Sequence, residues 1–473
     1  MVPRLSLVPN LRRATTIYST REPTCIADHP QHHNIISRYL PLFFAMSNNK
    51  GGRGEEGAIP SKFQVWKLAA RPHTLTASVV PVVVGYALAL RMIRDHPEIL
   101  LGHPTTATTS TTTGMLLLLP LIPSIKFAAF ACLIQISTNL HNDYADFAKG
   151  ADTHERVGQA RATQRGWLTP HETCRGCVLC LCAAAYVGVR HLIPLVSPPG
   201  DIAGGPSSCS ADDVGLGLDL GGRWGGGGHR YDPVMVAVVL SSMFNAVAYT
   251  GGPFPLGYVG LGDVSIGYSG LGDVFVFAYF GIVATMGVPY LCLTRAMTST
   301  TSAAAEACLL VDPSPAMMWH MLLPSFLHSL PVGCLATAII VVNNLRDRHT
   351  DVRAGKRTTA VRFGERFARI EYLVLVVMSY AFCACSCWWC QLLRSSSSSS
   401  SSSAASRSST TMAWWTALLP LASFPVALPQ LRAVAFGGKD GQALNDHVGG
   451  TARLQMVYCV LLAAGLAISS SSS

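Results

Sequence analysis

Two stretches of this sequence carry oxygen ligands at helical spacing. Asn142, Asp146 and Gly150 stand four apart, with Asp152 just beyond, and Asn343, Asp347 and Asp351 repeat the spacing further along. Residues four apart share one helical face. Each stretch therefore offers an amide oxygen and carboxylates as one stripe. A basic run follows each, RVGQARATQRG at 156–166 and RAGKRTTAVR at 353–362. Carboxylate and amide oxygens suit hard cations. Magnesium takes one or two carboxylates and fills its shell with water and substrate phosphate. Arg and Lys clamp the remaining phosphate oxygens. The combination describes a magnesium–diphosphate site. One cluster alone reads equally well as a solvated helix end. Two at matching spacing, each closing an apolar run, favour a site, because ionisable groups at membrane depth are functional candidates by default.

The elements that must position these groups are apolar. Of 473 residues, 49% are hydrophobic and 13% charged, whereas a soluble chain carries about a quarter charged residues. A membrane span needs about 20 residues. Nine runs are read on that basis: 72–93, 120–141, 177–196, 233–250, 273–293, 317–342, 371–392, 412–431 and 453–470. Only helices and closed barrels satisfy the backbone in lipid, and runs this long imply helices. The expected fold is an all-α integral membrane bundle of about nine transmembrane helices. The net charge of +9 is no nucleic-acid signal, because the basic residues cluster in short loops between apolar runs. Loops 2–3 and 6–7 hold most of them. The positive-inside rule puts that side in the cytosol, stroma or matrix, and both acidic stripes open onto it.

Other segments organise the chain. Residues 1–60 are rich in Arg, Ser, Thr, Asn and His and resemble an organelle transit peptide, with a disordered tail as the alternative. The membrane domain is placed at 61–470 and a tail at 471–473. Low-complexity insertions at about 198–230 (Gly-rich) and 394–411 (Ser-rich) cannot build a core. A tandem repeat, GYVGLGDVSI (257–266) then GYSGLGDVFV (267–276), matches at seven of ten positions and reads as a local duplication. The cysteine-rich CRGCVLCLC (174–182) contains Cys-x-x-Cys, a zinc spacing. Lying in an apolar run, it reads better as small apolar residues of a membrane helix.

On its motifs the chain resembles the UbiA superfamily of intramembrane prenyltransferases, and within it the 1,4-dihydroxy-2-naphthoate branch. The pieces are ARPHTLTASVVPVVVGYALA (70–89), QISTNLHNDYADFAKGADTHERVGQARATQRGWLTP (135–170), YTGGPFPLGYVGLGD (249–263), VVNNLRDRHTDVRAGKRTTAVRFGERFAR (341–369) and DHVGGTARLQMVYCVLLAAGLA near the end. The resemblance implies a helical bundle around a central lipid-open cavity. It implies magnesium held by Asn142, Asp146, Asp152, Asn343, Asp347 and Asp351. Diphosphate binding falls to Arg71, Asn344, Arg161, Lys356 and Arg357. Tyr249, at the end of the fourth run, is expected near the reacting carbon, and Asp146 and Asp347 are expected to be essential for catalysis. Gln159 stands where the family usually has proline, and the family has one GLGD segment where this chain has two. Either Asp263 or Asp273 could occupy its place.

The implied reaction transfers a prenyl group, phytyl on this reading, from a prenyl diphosphate to 1,4-dihydroxy-2-naphthoate. Carbon dioxide and diphosphate leave, as in phylloquinone or menaquinone synthesis. Homogentisate and 4-hydroxybenzoate prenyltransferases are the alternatives within the class. A transporter would place Gly/Pro-broken spans at matched positions of two halves, which this sequence does not show. A scaffold would not need paired acidic clusters. His73, His141 and His349 flank the motifs and read as interfacial or supporting residues rather than bases. A plastid membrane is the expected location, with the mitochondrial inner membrane as the alternative.

Overall fold

The computed structural model describes residues 60–96, 110–148, 158, 161–193, 195–196, 230–251, 271–299, 315–397 and 415–468. The expected transit segment, Asp152, Asp263, Gln159 and most of both low-complexity insertions lie outside them. The described residues belong to one compact unit that begins at Pro60.

Among the described residues ten main helices follow in order, with a short 3-10 turn at Gly441–Leu444 before the last. A short α1 (Lys62–Ala70) leads into α2 (Pro72–Asp95) and α3 (Ser110–Ala148). Then come α4 (Pro170–Val187, running on as the π-turn Gly188–Leu192) and α5 (Pro233–Ala248). Helix α6 spans 272–299, with the π-helical stretch Phe277–Val283 inside it. Helices α7 (Pro315–Arg353) and α8 (Thr359–Ser397) equal α3 in length, at 39 residues each. Helix α9 spans 415–436 in broken pieces, and α10 (Asn445–Ile468) ends the bundle. Two two-residue strands, Leu195–Val196 and Arg230–Tyr231, pair antiparallel across the Gly-rich insertion.

Among the described residues each of the nine predicted runs falls largely on helix. Seven are long and apolar enough to cross a membrane, while α5 and the Phe424–Phe436 part of α9 are apolar but shorter. The third run differs at its end: helix gives way after Leu192, and 195–196 is strand.

Local chemistry sets the boundaries that matter for function. Ser61 and Gln64 form a capping box at the start of α1, as Thr169 and Glu172 do for α4. Between α1 and α2 the chain turns at Arg71, whose φ of 53° makes it the only described non-glycine in the left-handed region. Pro72 then starts α2 at a position where its missing N–H costs nothing. That turn aims the Arg71 side chain back at α3. Strain of this kind is worth about 1–3 kcal/mol and persists where the surroundings impose it.

Helices approach closely through small residues, as in other membrane bundles. A Cβ on Gly281 would stand 2.4 Å from the Gly333 Cα, and one on Gly85 would stand 2.5 Å from the Thr285 carbonyl oxygen. These contacts seat α6 against α7 and against α2. Around them the apolar core falls into three clusters. The largest joins α2, α7, α8, α9 and α10 through Val84, Leu335, Leu345, Tyr372, Tyr458 and their neighbours. A second joins α2 to α7 through Phe127, Phe130, Met235 and Leu291. The third packs α1 and α4 on the end of α3, where Cys177 lies beside Leu140 and Val65 and against the Ser137 hydroxyl.

Candidate active site

A cavity of about 930 Å³ runs into the bundle between α2, α3, α5, α6, α7 and α10. Its inner wall is apolar and aromatic, including Phe127, Phe130, Ile134, Phe275, Tyr279, Phe280, Ile339 and Met456. The π-helical stretch of α6 supplies two of those rings; such bulges recur at functional sites. The other end of the cavity is polar. There α3 brings Asn142 and Asp146, and α7 brings Asn343, Asn344, Asp347 and Asp351. The two sequence stripes therefore face one space.

The basic residues meet them there. Arg161 donates to Asp143 Oδ1 at 2.7 Å and to Asp146 Oδ2 at 3.1 Å. Arg71 donates to the same Asp143 oxygen at 2.7 Å, and the Ala162 N–H reaches the other at 3.2 Å. Lys356, from the segment after α7, reaches Asp146 Oδ2 at 3.2 Å. This last contact ties the first stripe to the flank of the second. Asp347 is held by its own neighbour: Arg346 donates to both carboxylate oxygens, at 2.7 and 2.6 Å, and also to Asn343 Oδ1 at 2.7 Å. Asn445, at the start of α10, accepts from the same guanidinium at 3.1 Å. Charge-assisted contacts of this length are among the stronger hydrogen bonds.

Among the described expected residues, Arg357 alone does not line the cavity, and it is exposed. Asn344 lines the cavity, but its amide donates to Asp273 at 3.3 Å, and Thr359 donates to the other Asp273 oxygen at 2.6 Å. Asn142 lines it and accepts a hydrogen bond from the Thr250 hydroxyl. Tyr249 lines the cavity beside Gly272, where a Cβ would come within 3.2 Å of its hydroxyl. The second GLGD copy packs against the site through Gly272 and Asp273, while Asp263 of the first lies outside the described residues. His349 bonds Asp440 at 3.1 Å, away from the cavity lining, and His141 is buried without lining it.

Sequence reasoning missed Asp143 and Arg346 as organisers. Asp143 is one position off the four-residue stripe, and Arg346 was read only as one more charge in a basic loop. The adjacency of Asn142 to Asp143 and of Arg346 to Asp347 was the available signal.

Among the described residues no three His, Cys, Asp or Glu side chains converge closely enough to hold a metal ion alone. The donor set nonetheless fits magnesium. Carboxylate and amide oxygens from two helices line one cavity end, and this ion typically borrows substrate phosphate and water to complete its shell.

The sequence profile of the UbiA prenyltransferase family matches residues 226–418. The 1,4-dihydroxy-2-naphthoate octaprenyltransferase of Escherichia coli (strain K12) is 30% identical over 326 residues, covering 67% of this chain and 75% of the relative. The chain belongs to the UbiA prenyltransferase family. The Haemophilus influenzae octaprenyltransferase of the same description is 28% identical, again over 67% of this chain and 75% of its own length. A solved structure, described as giving insights into the biosynthesis of digeranylgeranylglyceryl phosphate synthase in membranes, aligns over 86% of this chain and 99% of its own. Its TM-score is 0.40, at 10% identity. As a UbiA-family chain, this is a membrane prenyltransferase.

Proposed function

We propose that this enzyme transfers a prenyl group from a prenyl diphosphate to 1,4-dihydroxy-2-naphthoate, releasing carbon dioxide and diphosphate. The observation that carries the reading is the Lys356–Asp146 contact, which joins the two acid–base clusters at one end of an otherwise apolar cavity. A substrate with a charged head and an apolar tail fits both ends. The acceptor is inferred from the two relatives above.

Asn142, Asp146, Asn343, Asp347 and Asp351 would hold magnesium, with Asp152 as a further ligand of the first motif. When bound, the ion supplies Lewis-acid stabilisation of the departing diphosphate. The chain's own residues do the rest. Arg71, Arg161 and Lys356 exchange their carboxylate partners for phosphate oxygens and orient the head. Preorganised cations of this kind stabilise charge that develops as a bond breaks. The aromatic wall excludes water, which would otherwise quench an allylic cation. The Tyr249 hydroxyl presents a neutral polar group at the cavity wall.

We further assign phytyl diphosphate as the donor and a plastid membrane as the location, with phylloquinone as the product pathway. The Arg- and Ser-rich composition of residues 1–60 supports an organelle address. The test offers purified enzyme with magnesium three acceptors, 1,4-dihydroxy-2-naphthoate, homogentisate and 4-hydroxybenzoate. Each is paired with phytyl and octaprenyl diphosphates. Prenylation of the naphthoate alone supports the reading; turnover of either other acid in preference to it overturns the assignment.

A further inference from the structure

Among the described residues, five basic side chains line the cavity: Arg71, Arg161, Arg346, Lys356 and Arg453. Four of them already neutralise a carboxylate of the site. Arg453, on α10, makes no ion pair or side-chain hydrogen bond with any described residue; Asp446, which lines the same cavity two turns earlier, does not engage it. Arg453 lies eight residues beyond Asn445. At 1.5 Å per residue that is about 12 Å further along the helix from the contact with Arg346. Its side chain is exposed to the cavity and so open to an incoming ligand.

The surroundings of Arg453 have room for a flat ligand. A Cβ on Gly449, one turn before it, would meet nothing within 4 Å. Ala452 is the other small residue on the lining, and Met456 closes the stripe. Side chains on a helix lean toward its N-terminus and cover the preceding turn. A guanidinium at 453 therefore extends over the open turn at Gly449 and back toward the polar end of the cavity. A planar aromatic ring laid against Gly449 and Ala452 would put an attached carboxylate within its reach.

We propose that Arg453 anchors the acceptor's carboxylate, with the Gly449–Ala452 turn as the wall for its ring. This rests on the proposed aromatic-acid acceptor. It assigns the anion of the acceptor to α10, and the anion of the donor to the cations carried by α3, α7 and the Arg71 turn. Planar, bidentate recognition of a carboxylate is the task for which arginine is better suited than lysine.

The test separates the two anions. The purified enzyme, loaded with a non-reactive prenyl diphosphate analogue and magnesium, is titrated with 1-hydroxy-2-naphthoate and with 1-naphthol, which lacks the carboxylate. Arg453→Ala should weaken the naphthoate by about tenfold to a hundredfold, the worth of one charge-assisted contact. It should leave 1-naphthol and the diphosphate analogue unchanged. Arg453→Lys should recover part of the loss, and the melting temperature should hold, since the side chain is exposed. Equal weakening of both naphthyl ligands, a rise confined to the donor, or no change in any of them overturns the proposal. Wild-type enzyme that binds the naphthoate through Arg453 but does not prenylate 1,4-dihydroxy-2-naphthoate would instead refute the assigned reaction.

Discussion

Replacing Asp143 by asparagine tests whether the site depends on a residue outside the metal-ligand stripe. The Asp143 side chain is only 1% exposed and accepts from Arg71 and Arg161 at 2.7 Å each and from the Ala162 N–H at 3.2 Å. Asparagine keeps one acceptor oxygen of the same shape. Its amide nitrogen then faces the Ala162 N–H, donor against donor, or displaces one arginine. Hydrogen bonds to charged groups are worth about 1.5–3 kcal/mol, and breaking a buried pair costs about 3–5 kcal/mol. Arg161 retains Asp146, so roughly half of that loss, about 2 kcal/mol, should reach donor binding and orientation. The expected result is a fall of about 30-fold in kcat/KM for the prenyl diphosphate, with a lower melting temperature. A double-mutant cycle with Arg161→Met should show coupling of about 1 kcal/mol or more. Wild-type kcat/KM at an unchanged melting temperature, or strict additivity in the cycle, would refute the idea that Asp143 organises the two arginines.

Three further outcomes follow from the same geometry. Asp347→Asn and Asp146→Asn should each reduce turnover at saturating substrate by at least about a hundredfold, on the scale of losing an electrostatic group at a developing charge; near-normal turnover removes that residue from the magnesium site. Burial alone would raise the Asp440 carboxyl, but hydrogen bonds from His349 and the Gly441 N–H, with the Arg348 guanidinium, more than offset it and hold it below its usual range. Its stabilisation is therefore full above the unfolded value of about 3.9 and is lost as pH falls through the lower folded value. The melting-temperature gap between wild type and Asp440→Asn should close below about pH 4, and a gap constant with pH would contradict the assignment. Gly281→Ala should lower the melting temperature markedly, because its Cβ would meet the Gly333 Cα at 2.4 Å, where no side chain can yield; an unchanged melting curve would show that α6 and α7 can separate there.

Much of the site was legible because its logic is local. Asn142 and Asp146 share a face, as do Asn343, Asp347 and Asp351, and helical periodicity alone aligns them. Helix existence was equally legible from the length of the apolar runs, though α5 shows that an apolar run can be shorter than a span. What escaped the sequence is set by tertiary contact. Asp143 turns away from its own stripe toward a turn 72 positions earlier. Arg346 looks like one basic residue among many until its guanidinium is seen spanning Asn343, Asp347 and Asn445. The contacts of Gly272 and Asp273 with Tyr249, Asn344 and Thr359 are tertiary and had no counterpart in the repeat as text. Arg357 and Lys356 are adjacent in the sequence, yet only Lys356 turns inward.

The pairing of charges at the cavity's polar end has a consequence for how the donor arrives. Asp143 and Asp146 stand against Arg71, Arg161 and Lys356, and Asp347 stands against Arg346, all within hydrogen-bonding distance. Opposite charges so close cancel each other's potential beyond a few ångströms, so the mouth of the site projects little net field. Diphosphate capture here is an exchange of partners at contact, unlike the long-range steering of a cleft lined by one sign of charge. Its association rate should therefore depend only weakly on ionic strength, and the lipid phase, which concentrates the prenyl tail, does the work of bringing the donor to the site.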